Sequence, residues 1–201
     1  MFALIQAAGW PIWFLLAASI VAVTVIIERL LYLRRSRISP PTLLPDVMDV
    51  LRSGKVNAEV IRQLEQNSPL GQVLAAGLRH RQASRGVLKE AIADAGRASA
   101  HHLERYLTTL GTVATLAPLM GLFGTVVGMI ELFGAQQGTI TDPLQVAPGI
   151  SVALYNTGFG LAVAMPALLF HRHFHAQVDA LVIDMEQQAL RFVDQISGTR
   201  D

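Results

Sequence analysis

Three long stretches of the chain contain no charged residue: residues 1–27, 106–130 and 143–170. A helix rises about 1.5 Å per residue, so each stretch is long enough to cross the ~30 Å hydrocarbon core of a bilayer. Between and after them, apolar residues keep helical spacing among charged ones. The pattern therefore predicts an all-α integral membrane protein with three transmembrane helices, two of them extended into a cytoplasmic helical bundle.

The distribution of basic residues predicts how the chain crosses the membrane. All Lys and Arg residues fall in 29–105 and 172–200, and loops rich in these residues stay in the cytoplasm. The predicted segments are a first transmembrane helix with a periplasmic N-terminus (1–35), a cytoplasmic helical region (36–105), a second transmembrane helix (106–133), a periplasmic loop (134–142), a third transmembrane helix (143–170) and a cytoplasmic C-terminal helix (171–201).

Within the cytoplasmic region, capping residues mark the starts of short helices. Thr42, Asn57 and Ser68 each precede an apolar-periodic stretch, and Ser68 is followed by Pro69 at the first helical position. From Ser84 onward no breaker interrupts the helical pattern, so we expect one continuous helix from about Arg85 to Phe133. The third span has no breaker after Pro166 and is expected to continue to about Ile196.

Small residues line one side of the second and third spans at steps of three and four, a spacing that lets another helix approach closely in lipid. Each line has a threonine near its middle, Thr125 and Thr157, and Asn156 lies beside the second. The small lines are Gly111, Ala114, Pro118, Gly121, Thr125 and Gly128, with Gly124 adjacent, and Gly149, Ala153, Thr157, Gly160, Ala164 and Ala167, with Pro166 nearby.

Two interpretations of these faces are open. Both faces could pack against each other while the Thr hydroxyls bond to carbonyls of their own helices. Alternatively, Thr125, Asn156 and Thr157 line a polar pathway, with Thr125 presented on the contact face. Because the two small-residue faces cannot both be satisfied inside one three-helix subunit that also presents an apolar face to lipid, we expect a homo-oligomer.

The interiors of the second and third spans contain no Asp, Glu, His, Lys or Arg. Proton relays in membranes normally use an ionisable group near the midplane, and threonine does not titrate near neutral pH. If the chain guides protons, the titrating carboxylate must come from another polypeptide. No nucleophile–base pair or phosphate loop is visible, so the sequence predicts neither an enzyme nor a cofactor.

Composition narrows the remaining classes. Of 201 residues, 52% are hydrophobic and 15% charged, which is typical of a membrane protein with a modest water-facing part. A net charge of +1 gives no reason to expect nucleic acid, and the absence of Cys excludes disulfides. His171 and His175 have i, i+4 spacing, but no carboxylate accompanies them, so we interpret them as juxtamembrane residues and expect no metal site.

The second and third spans resemble the MotA/TolQ/ExbB proton-channel family, and most closely its ExbB/TolQ branch. The resemblance rests on Ala117-Pro118 with Gly121-Leu122-Phe123-Gly124-Thr125-Val126-Val127-Gly128, and on Ala147-Pro148-Gly149-Ile150 with Ala153-Leu154, Thr157, Gly160-Leu161 and Ala164-Met165-Pro166-Ala167. These motifs cover about the last half of the chain, whereas the first span and the cytoplasmic region match in layout only.

The resemblance implies a pentameric ring in the bacterial inner membrane whose pore holds a small ExbD/TolR-like partner. That partner supplies the membrane Asp, and a TonB- or TolA-like protein transmits the work. Thr125 and Thr157 match pore-facing positions of the family. One position departs from it: members often carry Glu two residues after the Ile of Pro-Gly-Ile, where this chain has Val152, so this chain offers no carboxylate at that position.

Three functions remain open at this stage. The first is an ExbB-like subunit that uses the proton motive force to energise TonB-dependent transport across the outer membrane. The second is a TolQ-like subunit serving outer-membrane integrity. The third is a membrane scaffold that assembles a partner without conducting protons. A neighbouring gene for a short protein with one span and a central Asp would favour conduction over the scaffold.

Overall fold

The structure, a computed structural model, describes residues 9–135 and 143–198. Of the described residues, 88% are helical and none lies in a strand, which confirms the all-α fold. Three of the helices are long and apolar enough to cross a membrane, as the charge-free stretches predicted. Most of the predicted loop 134–142, the surroundings of Gly149 and the side chain of Val152 lie outside the described residues.

In chain order, the helices of the described part are α1 (Pro11–Tyr32), α2 (Arg35–Ile38), α3 (Leu43–Arg52), α4 (Ala58–Asn67), α5 (Pro69–Arg79), α6 (Arg85–Glu104), α7 (Leu107–Ala135) and α8 (Pro143–Gly198). They divide between two compact units. The apolar unit comprises the described residues of 1–28 and 106–173, and the bundle unit comprises those of 29–105 and 174–201. Helices α1 and α8 contribute residues to both units.

The core of the apolar unit is built largely from small side chains. Leu15 of α1 packs with Ala117 of α7 and with Val163 and Ala164 of α8, and all four are buried. Large apolar side chains face outward instead; Leu119, Ile130 and Leu169 are each more than half exposed. An apolar exterior around a core of small residues is the arrangement expected of helices that pack in lipid.

The bundle unit has a conventional core of large side chains. Phe174 and Phe192 of α8 are fully buried, together with Leu74 and Leu78 of α5 and Leu103 of α6. Charged residues lie on its surface, where Arg62 pairs with Glu59 and Arg79 with Glu65 at 2.8 Å. The segregation of apolar and charged positions is that of helices packed in water.

Two of the three predicted caps are confirmed. The Asn57 side chain accepts a hydrogen bond from Val60 N at 2.8 Å, and Ser68 Oγ accepts one from Gly71 N at 3.1 Å. The prediction for Thr42 is wrong, because its side chain makes no capping bond and its backbone is already helical. An N-cap needs an extended backbone to aim its oxygen at the first turn, and Thr42 lacks it.

The predicted unbroken helix from Arg85 to Phe133 is wrong at Arg105 and Tyr106. Helix α6 ends at Glu104, Arg105 adopts φ −49° and ψ 139°, and Tyr106 has φ +65° before α7 begins. A buried arginine stabilises the end of α6: Arg29 Nη1 donates to the Leu103 carbonyl at 3.0 Å. The break therefore depends on a residue 74 positions away, and no proline or glycine marks it.

Candidate functional site

Helices α7 and α8 approach each other so closely that their backbones touch. A Cβ on Gly121 would lie 2.7 Å from the Asn156 carbonyl oxygen, and a Cβ on Gly160 would lie 2.6 Å from the Ala117 carbonyl oxygen. Real Cβ atoms do not come this close to backbone oxygens. Gly121 and Gly160 are therefore required by the contact between the two helices.

The contact continues on both sides of this crossing. Gly124 lies against the Asn156 side chain, whose Cβ and Cγ would be 2.8 Å from an added Cβ. A Cβ on Gly128 would lie 3.3 Å from Ala153 Cβ. At the other end, a Cβ on Gly111 would lie 2.9 Å from His171 Nε2. The line of contact on α7 thus follows Gly111, Ala114, Ala117, Gly121, Gly124 and Gly128.

Thr157 carries a buried hydroxyl without a hydrogen-bond partner in the described part of the chain. Its Cα would lie 3.0 Å from a Cβ on Gly121, so the residue lies at the tightest part of the α7–α8 contact. Asn156, the preceding residue, is 1% exposed. A hydroxyl can accept two hydrogen bonds and donate one, and leaving it unpaired away from water costs about 1–3 kcal/mol.

Thr125 is in a different situation. Its hydroxyl donates to the Leu122 carbonyl at 2.6 Å, so it is satisfied within its own helix. The residue is half-buried and lines an open groove of about 600 Å³ with Val126, Met129 and Phe133. Of the two threonines, therefore, Thr125 shows the bonding expected of a packing residue and Thr157 does not.

The predicted packing residues fall into three groups. Gly121, Gly124 and Gly160 are buried in the helix contact, and Gly128 lies at its edge. Pro118 is half-buried inside α7 and Pro166 is exposed on α8, so the contact line passes them by. The surroundings of Gly149 are outside the described residues.

One expectation about these faces is wrong. We expected that a single subunit could not satisfy both small faces, but within this chain they pack against each other. The homo-oligomer therefore needs other support, and it stays a prediction. Leu15, which is fully buried, was not singled out in advance, and Ala117, also fully buried, was named only as a residue of the family motif. The alanine was recognisable, since it continues the step of three and four between Ala114 and Gly121.

No cluster of three or more His, Asp or Glu side chains that could hold a metal occurs in the described ranges. His171 instead packs over Gly111, where its ring fills the space left by the missing side chain. The helix contact can thus offer hydroxyl and amide groups at membrane depth, but the charge-free interior of the two helices provides no titrating group of its own.

These features define a helical membrane protein with three apolar helices, two of which meet through glycine. The sequence profile of the MotA/TolQ/ExbB proton channel family matches residues 65–187. The chain is 31% identical to a biopolymer transport protein ExbB homolog of Methanothermobacter thermautotrophicus over 86% of its own length and 62% of the relative's. It is 32% identical to biopolymer transport protein ExbB-like 3 of Synechocystis, over 81% and 79% of the two chains.

A third relative bears a different name: the Tol-Pal system protein TolQ of Haemophilus influenzae is 40% identical over 96 residues, 47% of this chain and 40% of the relative. The chain thus spans less than two thirds of the length of two of these three relatives. The profile match covers more than half of the chain. The protein therefore belongs to the MotA/TolQ/ExbB proton channel family, a family of membrane transport proteins.

Proposed function

We propose that this chain is an ExbB-like subunit of an inner-membrane proton channel that uses the proton motive force to energise TonB-dependent transport across the outer membrane. Three relatives that align over about four fifths of this chain or more carry ExbB names. The shorter but more identical match to TolQ favours one alternative, a TolQ-like role in outer-membrane integrity.

The unpartnered Thr157 hydroxyl is the observation that carries the proposal. A buried hydroxyl without a partner is costly, and at the tightest helix contact its presence needs a reason beyond packing. A water molecule or a partner carboxylate would satisfy it and so mark a polar route through an otherwise charge-free helix pair. Asn156 lies beside it, and Thr125 lines a groove open to a further helix.

The titrating group must be brought by a partner. We infer that an ExbD/TolR-like protein with one membrane helix supplies an Asp, whose protonation at membrane depth is the driving step. At Val152, where related chains often carry Glu, this chain offers no carboxylate, so the partner Asp carries the whole titration. A TonB- or TolA-like protein would then receive the work.

The assembly and orientation belong to the same proposal. A homopentamer in the inner membrane, surrounding the partner helices, follows from the resemblance of the second and third spans to the family. The basic residues in 29–105 and 172–200 favour a periplasmic N-terminus and a cytoplasmic C-terminus. On this orientation the loop 134–142 is periplasmic, and residues 36–105 and 171–201 are cytoplasmic.

The substitution Thr157→Val tests the pathway, because it keeps the shape of the side chain and deletes the hydroxyl. We expect two opposite effects. Removing an unsatisfied buried hydroxyl should raise the stability of the chain by about 1 kcal/mol. Removing a hydrogen bond to the partner carboxylate should lower proton flux about tenfold or more, since such bonds are worth about 1.5–3 kcal/mol.

The measurement is proton uptake by liposomes that contain the chain together with its ExbD/TolR-like partner, alongside thermal unfolding in detergent. Thr125→Val should lower flux less, because its hydroxyl already bonds to Leu122. Thr112→Val is the matched control, since Thr112 donates to the Thr108 carbonyl on the same helix and is exposed. Normal proton flux in an intact complex that carries Thr157→Val would exclude the proposed polar pathway. A wild-type complex that conducts no protons would favour the non-conducting membrane scaffold.

A further inference from the structure

Three exposed arginines follow the last exposed apolar residues of α1. Leu30, Leu31 and Tyr32 are 47%, 52% and 37% exposed, although they lie at the end of a helix apolar enough to span a membrane. Arg34, Arg35 and Arg37 come within the next five residues, and all are exposed. These three arginines are called the juxtamembrane patch. Tyrosine is typical of the membrane–water interface, so the patch begins at headgroup depth.

The patch differs from several other arginines of the bundle unit in its pairing. Four exposed arginines farther along the chain have carboxylate partners: Arg62 with Glu59, Arg79 with Glu65, Arg85 with Asp194 and Arg97 with Asp94. Within the described residues, Arg34 and Arg37 have no such partner. Two positive charges beside an exposed apolar surface are therefore left uncompensated by the chain.

Arg35, the third member, is fixed in place. Its guanidinium bonds to Asp184 at 2.7 Å, and the same carboxylate accepts from Ser39 at 2.5 Å and from Gln188 at 2.9 Å. The Arg35 side chain is nonetheless 74% exposed, so part of its guanidinium group is accessible to a ligand. Asp184 cancels one charge, which leaves the patch with a net charge of about +2.

A cleft opens beside Arg35 and adds a second cation. Its volume is about 590 Å³, and it is lined by Arg35, Ser36, Ser39, Asp184, Gln188 and Arg191. Arg191 is exposed and has no acidic partner in the described part of the chain. Guanidinium groups bind phosphate through paired N–H donors, and the exposed Ser36 hydroxyl can donate a further bond to a phosphate or glycerol oxygen.

We propose that the juxtamembrane patch binds the headgroup of an anionic phospholipid, with the phosphate on Arg34 and Arg37 and the rest of the headgroup toward the cleft beside Arg35. The acyl chains would lie along the exposed Leu30 and Leu31. Anionic lipids concentrate on the cytoplasmic surface of membranes, where each nearby Lys or Arg contributes about 1 kcal/mol of attraction. This inference rests on insertion of the chain in a membrane, and it is independent of proton conduction.

The test is lipid binding by the full-length chain in mild detergent, with bound lipids counted by native mass spectrometry during titration with phosphatidylglycerol or phosphatidylcholine. The wild type should retain phosphatidylglycerol in preference to phosphatidylcholine, and the preference should weaken with salt. The double variant Arg34→Gln with Arg37→Gln should bind phosphatidylglycerol about 25-fold more weakly, at about fivefold for each arginine removed.

Arg52→Gln with Lys55→Gln is the matched control. Both residues are exposed cations of the bundle unit at or just after the end of α3, but the apolar residues that precede them, Val50 and Leu51, are half-buried. This variant should keep wild-type affinity within about twofold, and Arg34→Lys with Arg37→Lys should keep most of it. The proposal is overturned if the Gln variant binds like the wild type, if the control loses as much, or if both lipids bind equally well. Loss of proton flux with lipid binding intact would affect the proposed function alone.

Discussion

One stripe of α8 is buried in both units, but it is made of different residues in each. In the apolar unit its members are Ala153, Asn156, Gly160, Ala164 and Ala167, and in the bundle unit they are Phe174, Val178, Leu181, Met185, Ala189, Phe192 and Ile196. Its mean spacing is about 3.6 residues, the period of a straight α-helix. The same helical geometry therefore serves two kinds of packing.

The difference reflects what surrounds each part of the helix. Lipid tails are as apolar as leucine, so large side chains gain nothing by leaving lipid, and helices associate through close backbone contact. In water, removing a Phe or Leu side chain from solvent contributes about 1.5–3 kcal/mol, and large residues are favoured. The two units should therefore differ in how their stability responds to added volume. In the apolar unit any new atom at the helix contact should lower stability, whereas in the bundle unit only a side chain that fits the core poorly should do so.

The largest effect is expected from Gly121→Leu. Its Cβ alone would lie 2.7 Å from the Asn156 carbonyl oxygen, so α7 and α8 would have to separate. We expect a loss of roughly 3 kcal/mol or more, at the upper end for overpacking. Thermal unfolding in detergent, followed by circular dichroism, measures it. Gly158→Leu on α8 is the control, because nothing lies within 4 Å of an added Cβ there. Equal stability of the two variants would contradict the backbone contact.

A smaller effect is expected at Gly77 in the bundle unit. An added Cβ would lie 2.5 Å from Phe192 Cε1 and 3.0 Å from Ile92 Cδ1, both in the core. Overpacking outweighs the gain in helix propensity, so Gly77→Ala should destabilise the protein by about 1–2 kcal/mol. Gly96→Ala, with open space around its Cβ, should instead stabilise it by about 0.5–1 kcal/mol. Chemical unfolding of both variants should show opposite signs; the same sign in each would reject this account.

The smallest effect is the dependence of the bundle unit on Asp184. Partial burial raises the pKa of this carboxyl, but hydrogen bonds from Ser39, Gln188 and Arg35 and the Arg35 charge outweigh it, so its pKa lies below the usual value. A lowered pKa stabilises the folded state above the unfolded pKa of about 3.9, and that contribution is lost as the pH falls through the folded pKa.

The stability difference between wild type and Asp184→Asn should therefore be constant above about pH 5 and shrink as the pH falls below about 4. It should not exceed about 1 kcal/mol, since Arg35 is largely exposed. Thermal unfolding at several pH values measures this difference. Asp46→Asn, at an exposed position of α3, controls for the general effect of acid. A difference that grows toward low pH would reverse the sign and exclude this assignment.

The sequence predicted the helical class, the three apolar helices and the family, because each depends on patterns local to one helix or on motifs. It also predicted that Gly121 and Gly160 pack closely, since glycine at steps of three and four in an apolar run has few other uses. The Asn57 and Ser68 caps were predictable for the same reason: a cap bonds within its own first turn.

What the sequence did not predict depends on residues far apart in the chain. The break at Tyr106 places a non-glycine residue at positive φ, at a cost of the order of 1 kcal/mol, and the carbonyl it frees bonds to Arg29. No local rule reveals such a pair. The unequal environments of Thr125 and Thr157 were hidden for a similar reason, because a rotation of about 100° per residue separates the contact face from its edge. Their roles in a pathway stay predictions.

The continuity of helix α8 limits how the chain can change in length. Deleting or inserting one residue near Phe170 would turn every later side chain by about 100° relative to the earlier ones, so Gly160 and Phe174 could no longer share a stripe. A change of length at Arg105 and Tyr106 would not rotate the later side chains in this way, because α6 ends there and α7 begins anew. Length variation within this family should therefore collect at that junction and spare α8, which a comparison of segment lengths among family members would show.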